Sequence, residues 1–155
     1  MPERKIDTDT LLRRLLKTTS IGRFFDGYNS DINRLPAFGE YICSLCEEKD
    51  ATAESIIKKA GIERTYGHKF FNGSRMPSRD KVLQLAFGFE LNFEQTQRLL
   101  TVARQSSLHP KVTRDAVIIF MLKKGHSLTE AQAVLSDLNL PVLGKEQLYE
   151  QPAHK

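Results

Sequence analysis

The stretch TAESIIKKAGIERTYGHKFFNGSRMPSRDKVLQLA, Thr52 to Ala86, decides how this chain folds. Thr52 is a residue type that caps helices, and Glu54 suits the positive first turn of the helix behind it. Gly61 ends that helix and supplies the positive φ that a tight turn between crossed helices needs. A second short helix is expected over about Arg64–Phe71, stopped by Asn72-Gly73. Ser78 then caps a third, whose buried stripe is Val82, Leu85 and Ala86. Ile56, Ile62 and Phe70 stand where such a helix pair must bury apolar groups. The start of the second helix projects outward, carrying Glu63, Arg64, Thr65 and, one turn on, His68 and Lys69.

The pattern stays helical on both sides of this stretch, with apolar residues recurring at three and four and no strand-like alternation. Leu11, Leu12, Leu15 and Leu16 mark a first helix, with Asp7 to Asp9 as acidic start signals. SIGRFFDGYNSDINRLP reads as a loop or broken helix, with Phe24 and Phe25 as anchors. A helix runs from Ala37 to about Glu48. Asn92 and Gln95 form a capping box ahead of NFEQTQRLLTVA. Thr113 starts RDAVIIFMLKKG, whose block Ala116 to Leu122 implies burial on most sides. Ser127 and Glu130 form a second capping box before a last helix with Leu128, Ala131, Val134, Leu135 and Leu138. The end of the chain is polar and reads as loose.

Size and composition agree. With 155 residues, 40% hydrophobic and 27% charged, the chain can build a packed core. The start, MPERKIDTDT, is polar and no apolar run is long enough to cross a bilayer, so a cytoplasmic protein is the default expectation. A formal charge of +4 is compatible with a nucleic-acid partner without demanding one. Cys43 and Cys46 form a C-x-x-C, but the four histidines are scattered and the flanks read as mid-helix. Buried structural cysteine is the expectation there, not a zinc or redox site. No linear motif of catalysis, of metal binding or of phosphate cradling can be assembled, so no enzyme activity and no cofactor are expected. The basic segment from Arg104 to Gly125, with Lys111, Arg114, Lys123 and Lys124, reads as helix-end charge and solvated rim. A second phosphate-contacting patch is the other reading.

Residues 52–86 have the lengths and glycine corner of a helix-turn-helix. On Thr52, Glu54, Ile56, Gly61, Ile62, Phe70, Asn72, Gly73, Arg75, Pro77 and Leu85, the segment resembles the DNA-binding domain of phage repressor and Cro proteins, the xenobiotic-response-element family. The resemblance covers about residues 37–103. It implies an all-α, lambda-repressor-like five-helix domain, here extended by an N-terminal helix and a C-terminal helix pair. The organisation expected is an extension over 1–36, the helix-turn-helix domain over 37–104, a helical pair over 105–143 packed on it, and a loose tail over 144–155. More loosely, the chain to Leu143 resembles bacterial proteins that add helices around this domain.

The resemblance further implies function: a sequence-specific regulator of transcription, repressor-like, bound to double-stranded DNA. Its recognition helix, about 64–71, would enter the major groove. Base-reading positions fall on Arg64, Thr65 and Lys69. Phosphate contacts fall on Thr52, Asn72, Gly73, Ser74 and Arg75, with the amides of Asn72, Gly73 and Ser74 presented to the backbone. Ala53 replaces an often polar residue, which removes one base contact. The family's usual Val or Ile is Gly67 here, and its usual small residue is Ile57. Either the two compensate, large for small, or the helices are re-angled. A homodimer through the terminal helices is compatible with this reading. So is an alternative in which the motif is a scaffold for a protein-interaction adaptor, docking its partner through Leu11–Phe25 and Ser127–Leu143.

Overall fold

The computed structural model describes residues 6–28 and 35–144. Among these residues the structure is all helical, with nine helices and no strand. The chain divides into two compact units, Met1–Leu35 and Pro36–Lys155.

The first unit holds α1 (Thr8–Lys17) and α2 (Ile21–Tyr28). Asp7 caps α1, its Oδ1 accepting from the Thr10 amide at 2.7 Å. None of the α1 residues is buried, and Leu12, Leu15 and Leu16 are exposed. The segment expected to be a loop or broken helix is helical over Ile21–Tyr28. Phe24 is buried, and its ring meets that of Phe25 edge-on, centroids 6.2 Å apart. Residues 29–34 of that segment lie outside the described residues.

The second unit holds α3 (Phe38–Glu48), α4 (Ala53–Lys59), α5 (Arg64–Phe71), α6 (Arg79–Gly88), α7 (Phe93–Val102), α8 (Thr113–Lys123) and α9 (Leu128–Asp137). Its helix starts are set locally. Thr52, Ser78, Asn92 and Ser127 each accept from an amide three residues on. Gln95 and Glu130 return the bond to the Asn92 and Ser127 amides.

Helix α6 is the centre of this unit. It packs against α4, α7 and α9, and every residue from Asp80 to Gly88 is buried. The expected stripe of Val82, Leu85 and Ala86 is therefore too narrow: neighbours enclose the helix all round. Gly88 belongs to this closeness, because a Cβ there would stand 2.9 Å from the Ile56 carbonyl oxygen on α4.

Two reciprocal ion pairs tie the start of α6 to the start of α8. The Arg79 guanidinium donates to both Asp115 oxygens at 3.1 and 2.9 Å. The Arg114 guanidinium donates to both Asp80 oxygens at 3.0 and 2.8 Å. Arg79 also donates to the carbonyls of Ser106 and Ser107, and Arg114 to those of Pro141 and Val142. These arginines thus satisfy loop backbone as well as carboxylates. Arg114, expected to belong to a solvated rim or a phosphate patch, is instead a structural cation.

Two glutamines repeat this device with amides. Gln97 exchanges bonds with the main chain of Leu108 at 3.0 and 2.8 Å. Gln132 does so with Leu143 at 2.8 and 2.7 Å. Both leucines are buried. The chain then returns to α6, where the Gly144 amide donates to Asp80. Residues 145–155 of the tail lie outside the described residues.

The apolar block on α8 is buried on one side only. Ile118, Met121 and Leu122 are buried, whereas Phe120 is 48% exposed. With Val117, Val134 and Leu138 it lines an apolar groove of about 600 Å³ between α8 and α9.

Candidate nucleic-acid interface

Helices α4 and α5 meet at a corner set by Gly61, whose φ is +65°. The Ile62 amide reaches back to the Ile57 carbonyl at 3.2 Å, closing the turn. Ile56, Ile62 and Phe70 are buried beneath it. From the far side, α9 supports the corner, since Leu128 Cδ2 lies 3.1 Å from where a Gly61 Cβ would be. Gln84 on α6 donates to the carbonyls of Ala60 and Gly61.

Gly67 faces Ile57 across this pair. A Cβ on Gly67 would stand only 2.6 Å from Ile57 Cγ2. The large and small side chains therefore compensate. Tyr66 packs edge-on against Phe70, ring centroids 4.8 Å apart.

Burial on α5 falls on Gly67, Phe70 and Phe71, while Arg64, Thr65 and Lys69 are exposed. The helix starts on Glu63, whose two carboxylate oxygens accept from the Thr65 and Tyr66 amides at 3.0 and 2.8 Å. Those bonds, Tyr66 first, hold the Glu63 carboxyl below its usual value. A carboxylate thus occupies amides that a helix start would otherwise offer an anion.

Glu54 adds a second carboxylate at this face. Its Oε1 accepts from Arg64 Nε at 2.6 Å, and its Oε2 lies 2.6 Å from His68 Nε2. His68 and then Arg64 lower the Glu54 carboxyl pKa. His68, expected only to be carried outward one turn along this helix, bonds to Glu54. Glu54, read only as a helix-start acid, is the residue that sequence reasoning missed at this site. Its partners lie 10 and 14 positions on, beyond a turn, where no helical spacing connects them.

The turn after α5 is closed by its own hydrogen bonds. The Asn72 amide donates to the His68 carbonyl, and the Arg75 amide to that of Lys69. The Ser74 amide donates to Asn72 Oδ1 at 2.9 Å. The expectation that the Asn72 and Ser74 amides face phosphate is therefore corrected: both are spent inside the turn. The side chains of Asn72, Ser74 and Arg75 remain on its exposed surface. Gly73 takes φ +81°, and Gly39 on α3 lies close beneath, its missing Cβ 3.2 Å from the Gly73 nitrogen. The Arg75 guanidinium stands 5.2 Å from the centroid of the Tyr66 ring, which orients it by cation–π attraction. Thr52 is exposed at the start of α4, its hydroxyl oxygen already accepting from the Ser55 amide.

Cys43 and Cys46 both lie in α3 as free thiols, but only Cys46 is buried. Burial first, and then Cys43, push the Cys46 thiol up. Among the described residues no cluster of three or more His, Cys, Asp or Glu is placed to hold a metal ion. No helix there is long and apolar enough to cross a membrane. In comparisons with known proteins, the chain matches no family model, no curated protein and no solved structure.

Proposed function

We propose that this chain is a sequence-specific, double-stranded-DNA-binding regulator of transcription, working in the cytoplasm without catalysis or cofactor. Helices α3 to α7 form its repressor/Cro-like five-helix domain, α4 and α5 its helix-turn-helix. Helix α5 lies in the major groove, where Arg64, Thr65 and Lys69 meet base edges. Thr52, Asn72, Gly73, Ser74 and Arg75 line the adjacent phosphates. The observation that carries this reading is the exposure of Arg64, Thr65 and Lys69 on a helix that Gly67, Phe70 and Phe71 lock into the core. A groove-reading helix needs that division: one side fixed, the other free to meet base edges.

The cations Arg64, Lys69 and Arg75 outnumber the carboxylates Glu54 and Glu63 at this face, which favours phosphate. Selection of bound sequences from random duplex DNA tests the proposal. Enrichment of one motif is expected, and two half-sites in that motif would report a homodimer through their spacing. Absence of duplex binding even at low salt overturns it.

A second reading is a protein-interaction adaptor built on the same helices. The exposed apolar groove between α8 and α9 favours it, as do the two carboxylates beside α5. A protein partner captured in the absence of any duplex binding would select this alternative.

A further inference from the structure

Glu54 stands in the first turn of α4 and reaches across the Gly61 corner to α5. Arg64 and His68 are one turn apart on α5, so a single carboxylate is gripped from both sides. One oxygen accepts from Arg64 Nε and the other contacts His68 Nε2, each at 2.6 Å.

The nitrogen used on Arg64 decides the consequence. A guanidinium has five donors in a rigid plane. The bond to Glu54 takes Nε, on the stem side of that plane. It leaves the Nη1 and Nη2 ends, and the side chain is 76% exposed. A guanine edge offers two acceptors, O6 and N7, to such a two-pronged end. An unrestrained arginine at the same place would as readily settle on the nearest phosphate. Glu54 opposes that in two ways. It pins the stem side of the guanidinium, and it sets a negative charge beside any approaching phosphate. His68 holds the second oxygen, so the carboxylate does not swing away from Arg64.

We infer that Glu54 is a specificity-determining residue: it aims the outer end of Arg64 at one guanine and weakens Arg64 as a phosphate contact. This rests on the DNA-binding reading above. Glu54→Ala then binds mixed-sequence duplex DNA several-fold more tightly at low salt. It loses about tenfold or more of its discrimination at one base position, the position that Arg64→Ala also loses. Glu54→Gln, which keeps an acceptor oxygen without the charge, falls between wild type and Glu54→Ala. A purely structural role for Glu54 would weaken binding to every sequence alike.

The experiment is selection from random duplexes with wild type, Glu54→Ala, Glu54→Gln and Arg64→Ala, beside titration of one mixed-sequence duplex. It is paired with NMR of the Arg64 Nε–H in the free full chain. The expected result is a shared lost position for Glu54→Ala and Arg64→Ala, tighter mixed-sequence binding by Glu54→Ala, and an Nε–H signal protected in wild type and lost in Glu54→Ala. If wild type selects a motif and Glu54→Ala keeps every preference, the inference is overturned while the regulator reading stands. An unprotected Nε–H in wild type overturns it as well, independently of DNA. If wild type selects no duplex, both readings fall.

Discussion

Ile57 fills the space that any side chain at position 67 would need. A Cβ on Gly67 would stand 2.6 Å from Ile57 Cγ2 and 2.8 Å from its Cγ1, and Ile57 is 2% exposed. In an open helix, Gly→Ala adds about 0.5–1 kcal/mol of stability. Here the clash reverses the sign, and Gly67→Ala is expected to destabilise by about 1–3 kcal/mol. Ile57→Ala alone costs about 2–5 kcal/mol through its cavity. The double variant is expected to be less destabilised than the sum of the two singles, because each change makes room for the other. Denaturant unfolding of the four proteins checks this; strict additivity would show that the two residues do not compete for one volume.

Asp115 takes both ends of the Arg79 guanidinium and also accepts from the His109 amide. It is 4% exposed. Asp115→Ala leaves a partly buried guanidinium without its counter-ion, which costs about 3 kcal/mol or more. Replacing the pair together, Arg79→Met with Asp115→Leu, is expected to cost less than Asp115→Ala alone. Thermal unfolding of the two variants gives the comparison. Hydrogen exchange in Asp115→Ala should rise first in the loop around Ser106 and Ser107, whose carbonyls Arg79 holds.

Glu63 contributes to helix α5 only while ionised. Its carboxyl is held below the ordinary range, first by the Tyr66 amide and then by that of Thr65. A carboxyl lowered by folding stabilises the fold fully above its unfolded value, about 4.3. That contribution fades as pH falls through the folded value. Amide exchange at Thr65 and Tyr66 is expected to quicken below about pH 4 beyond the intrinsic trend. Glu63→Gln should remove this pH dependence and raise affinity for duplex DNA modestly.

Cys43 and Cys46 should differ in reactivity despite their adjacency. Cys43 is exposed, whereas Cys46 is buried with its thiol pushed up. The native protein is expected to titrate one thiol quickly with a disulfide reagent at pH 8, and the second only on unfolding. Mass mapping of the labelled peptide identifies which reacts; rapid labelling of Cys46 in the folded chain would contradict its burial.

Arg75 lies over the Tyr66 ring at the exposed end of the turn. If it meets a phosphate, Arg75→Ala weakens binding about equally for all duplexes and shallows the dependence of log affinity on log salt by about 1. Titrations at three salt concentrations measure the slope. An unchanged slope removes Arg75 from the phosphate contacts.

Much of the fold was legible because its signals act over three or four residues. Thr52, Ser78, Asn92 with Gln95, and Ser127 with Glu130 each bond an amide within that reach. Gly61 needs a positive φ wherever the neighbouring helices finally sit. The periodicity that buries Phe70 also leaves Arg64, Thr65 and Lys69 exposed.

What went unread depends on neighbours distant in the chain. Phe120 sits in a continuous apolar run, yet its side of α8 is open to the groove. Helix α6 shows no distinct stripe because other helices surround it. Ile21–Tyr28 is helical despite its glycines, which left a loop and a broken helix equally open from local punctuation.

The sequence by itself determined where helices start and stop, that Gly61 makes a corner, and which α5 residues share a side, since each follows from backbone sterics and hydrogen bonds between near neighbours. Only the tertiary structure decided that Ile57 occupies the place of a Gly67 side chain, that Arg79 and Arg114 are spent on Asp115 and Asp80, and that Glu54 grips Arg64 and His68. Those outcomes depend on how closely separate helices approach and at what angle. That is a property of the packed core as a whole, which no short run of residues contains.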